Sequence, residues 1–257
     1  MCVILACQPN ERPTEDVLTT CWSANPDGGG FMWSDGHMVH GRKGFMTLDA
    51  LLDALTAVPD DAPLAIHMRI GTSGGYDERV THPYPVTDSL AALHATEWAS
   101  PLGIAHNGVI PGMPTDDKAG ISDTVAYVRD VVAPMAAGGN LISSFSLEDL
   151  EKSSAGSRLC IMTGKGGVAL TGSGWNSVAY GIKASNKSWM ARKPRWSEYF
   201  AYPATDLPGV CVGCDCFSYC EKGCPYCYDV ALDLGYTPKE YDDAWHDIIE
   251  ELNEETA

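Results

Sequence analysis

Apolar residues open the chain without a break over Val3, Ile4, Leu5, Ala6 and Cys7, then yield to polar sequence containing Pro9 and Pro13. A run that short, bounded by breakers, predicts a buried strand followed by a loop. Phe31-Met32-Trp33 and Met38-Val39 flank Ser34-Asp35-Gly36, the pattern of a hairpin. Leu48, Leu51, Leu52 and Leu55 recur at helical spacing over residues 47–58. Leu64 to Ile70 and Leu102 to Ala105 read as strands, and each runs into a conspicuously polar motif. Residues 122–136 predict a helix capped by Ser122, with Val125, Val128, Val131 and Val132 on its apolar positions. Leu159 to Thr163 and Val168 to Thr171 predict two more strands around a Gly164-Lys165-Gly166-Gly167 turn. The last helix is expected after Thr237, with Pro238 at its first position, Glu240 completing the cap, and Tyr241, Trp245, Ile248, Ile249 and Leu252 on one face.

Composition narrows the class. The chain has 257 residues, 45% hydrophobic and 20% charged, the profile of a globular protein large enough for a sizeable core. No apolar stretch reaches the roughly 18 residues that cross a bilayer, and the start lacks the basic, long-apolar pattern of a secretory signal, so a cytoplasmic protein without a membrane partner is expected. Seventeen basic against 34 acidic residues give a net charge of −17, which opposes binding to phosphate backbones and makes nucleic acid an unlikely partner. The basic, aromatic stretch at 183–196, with Trp189 and Trp196, reads as surface and packing, and a boundary is placed near residue 200.

The chemistry begins at the second residue. If Met1 is removed, Cys2 carries its α-amine beside its thiol, so one residue supplies nucleophile and base. An α-amine titrates near ~7.7–8.0, leaving a usable neutral fraction at pH 7. Alone, a cysteine here is more often a small apolar residue of a strand. Three further motifs change that reading: His67-Met68-Arg69-Ile70-Gly71-Thr72-Ser73-Gly74 with His82-Pro83 after it, His106-Asn107-Gly108-Val109-Ile110, and Ser122-Asp123-Thr124; a glycine-rich stretch, Asn25-Pro26-Asp27-Gly28-Gly29-Gly30, by itself only a loop, precedes them.

In this order they resemble the motifs of the class II glutamine amidotransferases, whose nucleophile is an N-terminal cysteine. The resemblance spans residues 2 to about 190. It implies an α+β fold, the four-layer αββα sandwich of N-terminal-nucleophile hydrolases, over residues 2–200. It also implies that Cys2 is the nucleophile, that the Asn107 side chain and the Gly108 N–H form the oxyanion hole, and that Arg69 holds the α-carboxylate of glutamine. Asp123 would pair with the α-ammonium, Thr72 would add a hydroxyl contact, His82 would support the site, and Asp27 and Gly28 would line it. A planar guanidinium grips a carboxylate through two parallel hydrogen bonds, which is why arginine suits position 69. Gly71 and Ser73 stand where the family has alanine and histidine, and Ser185-Asn186 is similar to a late family segment.

Six of the ten cysteines fall within 211–227. Cys211-x₂-Cys214 and Cys224-x₂-Cys227 have the spacing of tetrahedral zinc knuckles, with Cys216 and Cys220 between them. A structural zinc with two spare thiols, an iron–sulfur cluster, disulfides and unligated thiols are the alternatives. Residues 201–257 are therefore expected to form a small cysteine-rich, metal-binding appendage with an acidic amphipathic helix, too short to hold a core unaided. The function expected is hydrolysis of glutamine to glutamate and ammonia through a γ-glutamyl thioester, with no cofactor in catalysis and a separate synthase chain receiving the ammonia. The alternatives are a stand-alone hydrolase of another γ-glutamyl amide or peptide, and an inactive scaffold of the same fold.

Overall fold

The computed structural model of the protein describes residues 2–71, 77–138 and 144–190. In chain order, β1 (Val3–Cys7) leads through α1 (Glu15–Ala24) to the hairpin β2 (Gly29–Ser34) and β3 (Val39–Phe45), then α2 (Leu48–Leu55) and β4 (Leu64–Met68). A 3₁₀ turn (Glu78–Val80), β5 (Tyr84–Pro85), α3 (Leu90–His94), β6 (Glu97–Ser100) and β7 (Leu102–Asn107) follow. Next come α4 (Asp123–Tyr127), a π-helical turn (Val128–Val132), α5 (Ala133–Ala137) and α6 (Ser144–Ser153). The described chain closes with β8 (Arg158–Thr163), β9 (Val168–Thr171), β10 (Asn176–Ala179) and β11 (Ile182–Ala184).

The described residues form a mixed α/β fold with two antiparallel sheets. One has the order β10-β11-β1-β4-β2-β3-β6, the other β5-β7-β8-β9. Side chains alternate faces along a strand, so a strand covered on both faces is apolar at every position. That accounts for the opening run. Val3, Leu5 and Cys7 pack with Leu18 and Cys21 of α1 and with Leu51 and Ala54 of α2. Ile4 and Ala6 pack instead with Ala105, Cys160 and Met162 of the second sheet. β8 repeats the pattern, sending Cys160 and Met162 between the sheets and Leu159 and Ile161 toward Val125, Val128 and Leu150.

The expected helix at 122–136 forms in three pieces. Ser122 caps it as predicted, its Oγ accepting from Val125 N at 3.2 Å. The widened π turn directly precedes Pro134, which offers no amide hydrogen and crowds the carbonyl four residues back. α1 replaces most of the loop expected after residue 7: Thr14 caps it, and only Leu18 and Cys21 are fully buried. β4 ends at Met68, two residues earlier than expected. The beginning of the basic, aromatic stretch belongs to β11, where Lys183 is exposed, and Trp189 packs against the first apolar cluster. No helix among the described residues is long and apolar enough to cross a membrane. The boundary near residue 200, the six clustered cysteines and the last helix lie outside the described residues.

β1 runs antiparallel to both neighbours, with Val3 opposite Met68 and Leu5 opposite Ala184. The start of β1 therefore meets the residues that follow β4 and β11. Cys2 comes beside Arg69, and Ser185 comes opposite Ile4.

Candidate active site

A small cavity is lined by Cys2, Arg69, Ile70, His82, Gly108 and Asp123, together with Val80, His106, Ser122 and Thr124. Five predicted residues, Cys2, Arg69, His82, Gly108 and Asp123, thus share one space, which brings together a thiol, a guanidinium, an imidazole, a glycine turn and a carboxylate. A larger groove lies elsewhere, beside α5 and β7, and its lining holds neither thiol nor imidazole. Thr72 lies outside the described residues.

Cys2 is half-buried, and its Sγ lies 3.6 Å from the Ile70 carbonyl oxygen. Burial pushes its thiol above the ordinary value, partly offset by the Arg69 guanidinium. A thiol held up in this way needs a base to ionise it at neutral pH. Arg69 itself is buried. Asp27 and Gly28 hold its loop and do not line the cavity. Arg69 N donates to Gly28 O at 2.7 Å, Asp27 N donates to Arg69 O at 2.9 Å, and Gly71 N donates to Asp27 Oδ2 at 2.7 Å. Gly28 has φ +109, and a Cβ there would meet Thr81 Cγ2 at 2.8 Å, so the position excludes other residues.

Asp123 stands in the first turn of α4, where a carboxylate is favoured by the helix terminus. It also braces the glycine turn: Oδ2 accepts from Ile110 N at 2.9 Å, and Oδ1 accepts from Thr124 N at 2.8 Å. Gly108 adopts φ +152, with Ser157 behind it donating to Val109 O at 3.2 Å. Asn107, next to Gly108, is fully buried and is not among the residues that line the cavity; its carboxamide lies 2.7 Å from Ser185 Oγ. Asn186 Nδ2 donates to the carbonyl oxygen of Cys2 at 2.6 Å.

Beneath the cavity lie three buried imidazoles. His82 Nδ1 is 2.8 Å from His67 Nε2, which is 3.0 Å from His106 O. A proton on His67 Nε2 serves both contacts, since the carbonyl and His82 Nδ1 then both accept. His106 Nδ1 is 2.8 Å from Thr124 Oγ1, which donates to Asp123 Oδ1 at 3.3 Å. His106 therefore carries its proton on Nδ1. Burial pulls His67 down to about 3 and His106 to about 4. It pulls His82 well below 6.5 as well, with the neighbouring imidazoles adding to the effect. All three are neutral at pH 7, so they orient Asp123 and the 106–108 turn without competing with Arg69 for an anion.

His67, His106 and Thr124 carry no assigned role in the sequence reading, although all three stand inside its motifs. Ser157 is separate from those motifs; Ser185-Asn186, similar to a late family segment but given no role there, acquires one through the strand register. Among the described residues, no group of three or more histidine, cysteine or acidic side chains is arranged to hold a metal ion. No protein-family model matches the chain, and no curated protein does.

Proposed function

We propose that the protein hydrolyses the side-chain amide of glutamine, with Cys2, exposed by removal of Met1, as the nucleophile. The observation that carries this reading is the meeting of Cys2, Arg69, Gly108 and Asp123 in one cavity, from four separate parts of the sequence. Three apolar clusters support the four-layer sandwich of N-terminal-nucleophile hydrolases: one between helices and the first sheet, one between the sheets, and one between the second sheet and further helices.

In this reading Arg69 takes the α-carboxylate and Asp123 the α-ammonium, which directs the side-chain amide toward Cys2. The neutral α-amine of Cys2 takes the thiol proton, and the thiolate attacks Cδ. The tetrahedral oxyanion is met by the Gly108 N–H and the Asn107 carboxamide. The ammonium returns its proton to the leaving nitrogen, the C–N bond breaks, and ammonia departs. Water then gives a proton to the amine and attacks the γ-glutamyl thioester, releasing glutamate and the Cys2 thiol.

Arg69→Lys should raise KM for glutamine roughly 30-fold, equivalent to about 2 kcal/mol, because a single ammonium replaces a two-pronged grip. Its kcat should change by only a few-fold. Steady-state kinetics with matched thermal unfolding checks this, and an unchanged KM would remove Arg69 from substrate recognition. The test of the whole reading is covalent capture: a glutamine-like chloroketone should add once, at Cys2, in protein whose mass shows Met1 removed. Addition at another cysteine, or none at Cys2, would overturn it.

A further inference from the structure

Ser185, immediately after β11, is fully buried and touches two parts of the site at once. Its Oγ is 2.8 Å from Ile4 N, two residues after the nucleophile, and 2.7 Å from the Asn107 carboxamide. Its own N–H donates to Ile4 O at 2.9 Å, so its backbone is fixed on β1. We infer that Ser185 is a positioning residue: its hydroxyl sets which way the Asn107 carboxamide faces and ties that amide to the strand that begins with Cys2. The inference rests on the reading of Asn107 as an oxyanion donor.

With the Asn107 nitrogen toward Ser185, the hydroxyl oxygen accepts twice, from Ile4 N and from Asn107 Nδ2, and Asn107 Oδ1 is buried with no partner among the described residues. An unpaired buried carbonyl costs about 1–3 kcal/mol. A half-turn of the carboxamide about its last bond exchanges oxygen for nitrogen in the same space. Ser185 Oγ–H then donates to Asn107 Oδ1 while still accepting from Ile4 N, and the two amide N–H groups become the part of the carboxamide with no partner among the described residues. Both Asn107 N–H groups face away from Ser185, available as donors. Oxyanion stabilisation needs a donor held in place before charge develops, and a freely turning carboxamide would present its oxygen part of the time. Alanine at 185 leaves the amide without that choice.

The experiment uses the full-length chain and begins with a readout independent of turnover. The Asn107 side-chain NH₂ signals, assigned by their disappearance in Asn107→Asp, are followed by nuclear magnetic resonance in wild type and Ser185→Ala. Removal of one hydrogen bond of about 1 kcal/mol should speed exchange of these protons with solvent roughly 5- to 10-fold and shift their resonances. Glutamine hydrolysis gives the second readout: kcat should fall about 10-fold at unchanged KM, and Ser185→Ala should cost nothing further in an Asn107→Gly background. Unchanged Asn107 signals in Ser185→Ala would overturn the inference, as would a full additional loss in the Asn107→Gly background. The resonance result stands whether or not wild type hydrolyses glutamine, so failure of the glutaminase reading is seen separately, as absent turnover by wild type.

Discussion

Lowering the pH from 7 to 5 is expected to lower the unfolding free energy by about 4 kcal/mol through His67 and His106, with His82 adding in the same direction, because three imidazoles that the folded protein keeps neutral become charged in the unfolded chain. His67 is held at about 3 and His106 at about 4, and His82 lies well below its ordinary 6.5, in each case chiefly because burial penalises the cation. Between pH 6.5 and 5 the unfolded chain binds close to one proton more per histidine than the folded chain. For His67 and His106 the slope is about 1.4 kcal/mol per pH unit each, or roughly 2 kcal/mol apiece across the window. The sign follows from the depressed folded values: the stability is complete above 6.5 and drains as pH falls toward 3–4. Asp77, held at about 2 mainly by its hydrogen bond to Arg79, loses its contribution only below pH 4 and does not enter this window. For a domain of this size the loss corresponds to a fall in Tm of roughly 10–20 °C. Calorimetry at pH 7, 6 and 5 measures it directly. A Tm constant within two or three degrees would contradict the neutral, buried trio.

Gly108→Ala is expected to lower kcat/KM by about 100-fold or more, the usual consequence of losing an oxyanion donor. Two observations set the size. The backbone at Gly108 has φ +152, a region L side chains rarely adopt, and an added Cβ would lie 2.4 Å from Ser157 Oγ and 2.9 Å from Ser157 Cβ. Ser157 cannot retreat freely because its hydroxyl holds Val109 O. The turn that presents the Gly108 N–H must therefore move. Gly112→Ala is the matched comparison, since Gly112 has φ +80 with nothing within 4 Å of the added atom. It should cost about 1 kcal/mol of backbone strain and leave turnover within a few-fold. Equal activity of the two variants would mean that the geometry of residue 108 does not matter to the reaction.

The parts of the fold legible in the sequence are those whose burial is two-sided or strongly periodic. Val3–Cys7 reads as a strand because both faces are covered, and α2 reads as a helix because its leucines recur. α1 was illegible because it presents few fully buried side chains and follows two prolines that suggest a loop. β10 and β11 are three or four residues long, with lysine and asparagine among them, and gain strand character only by pairing with each other and with β1. The candidate site divides in the same way. Cys2, Arg69, Gly108 and Asp123 are legible because their residue types and order suit one chemistry. The roles of Asp27 and Gly28 as holders of the Arg69 loop are not, since the bonds that define them are to backbone more than 40 residues away. Ser185 is 78 residues from Asn107, and only the pairing of β11 with β1 brings its hydroxyl to the carboxamide. Local patterns specify which chemical groups are present, whereas register decides which of them meet.

Whether Cys2 is a nucleophile acting on glutamine is tested most directly by release of glutamate and ammonia from glutamine by the full-length protein, with its N-terminus verified by mass. Wild type should release equimolar glutamate and ammonia, and Cys2→Ala none above background, with an unfolding temperature close to wild type because the thiol sits at the rim of the core. Release that persists in Cys2→Ala, or no release and no covalent capture at Cys2 once Met1 is gone, would contradict that role for Cys2.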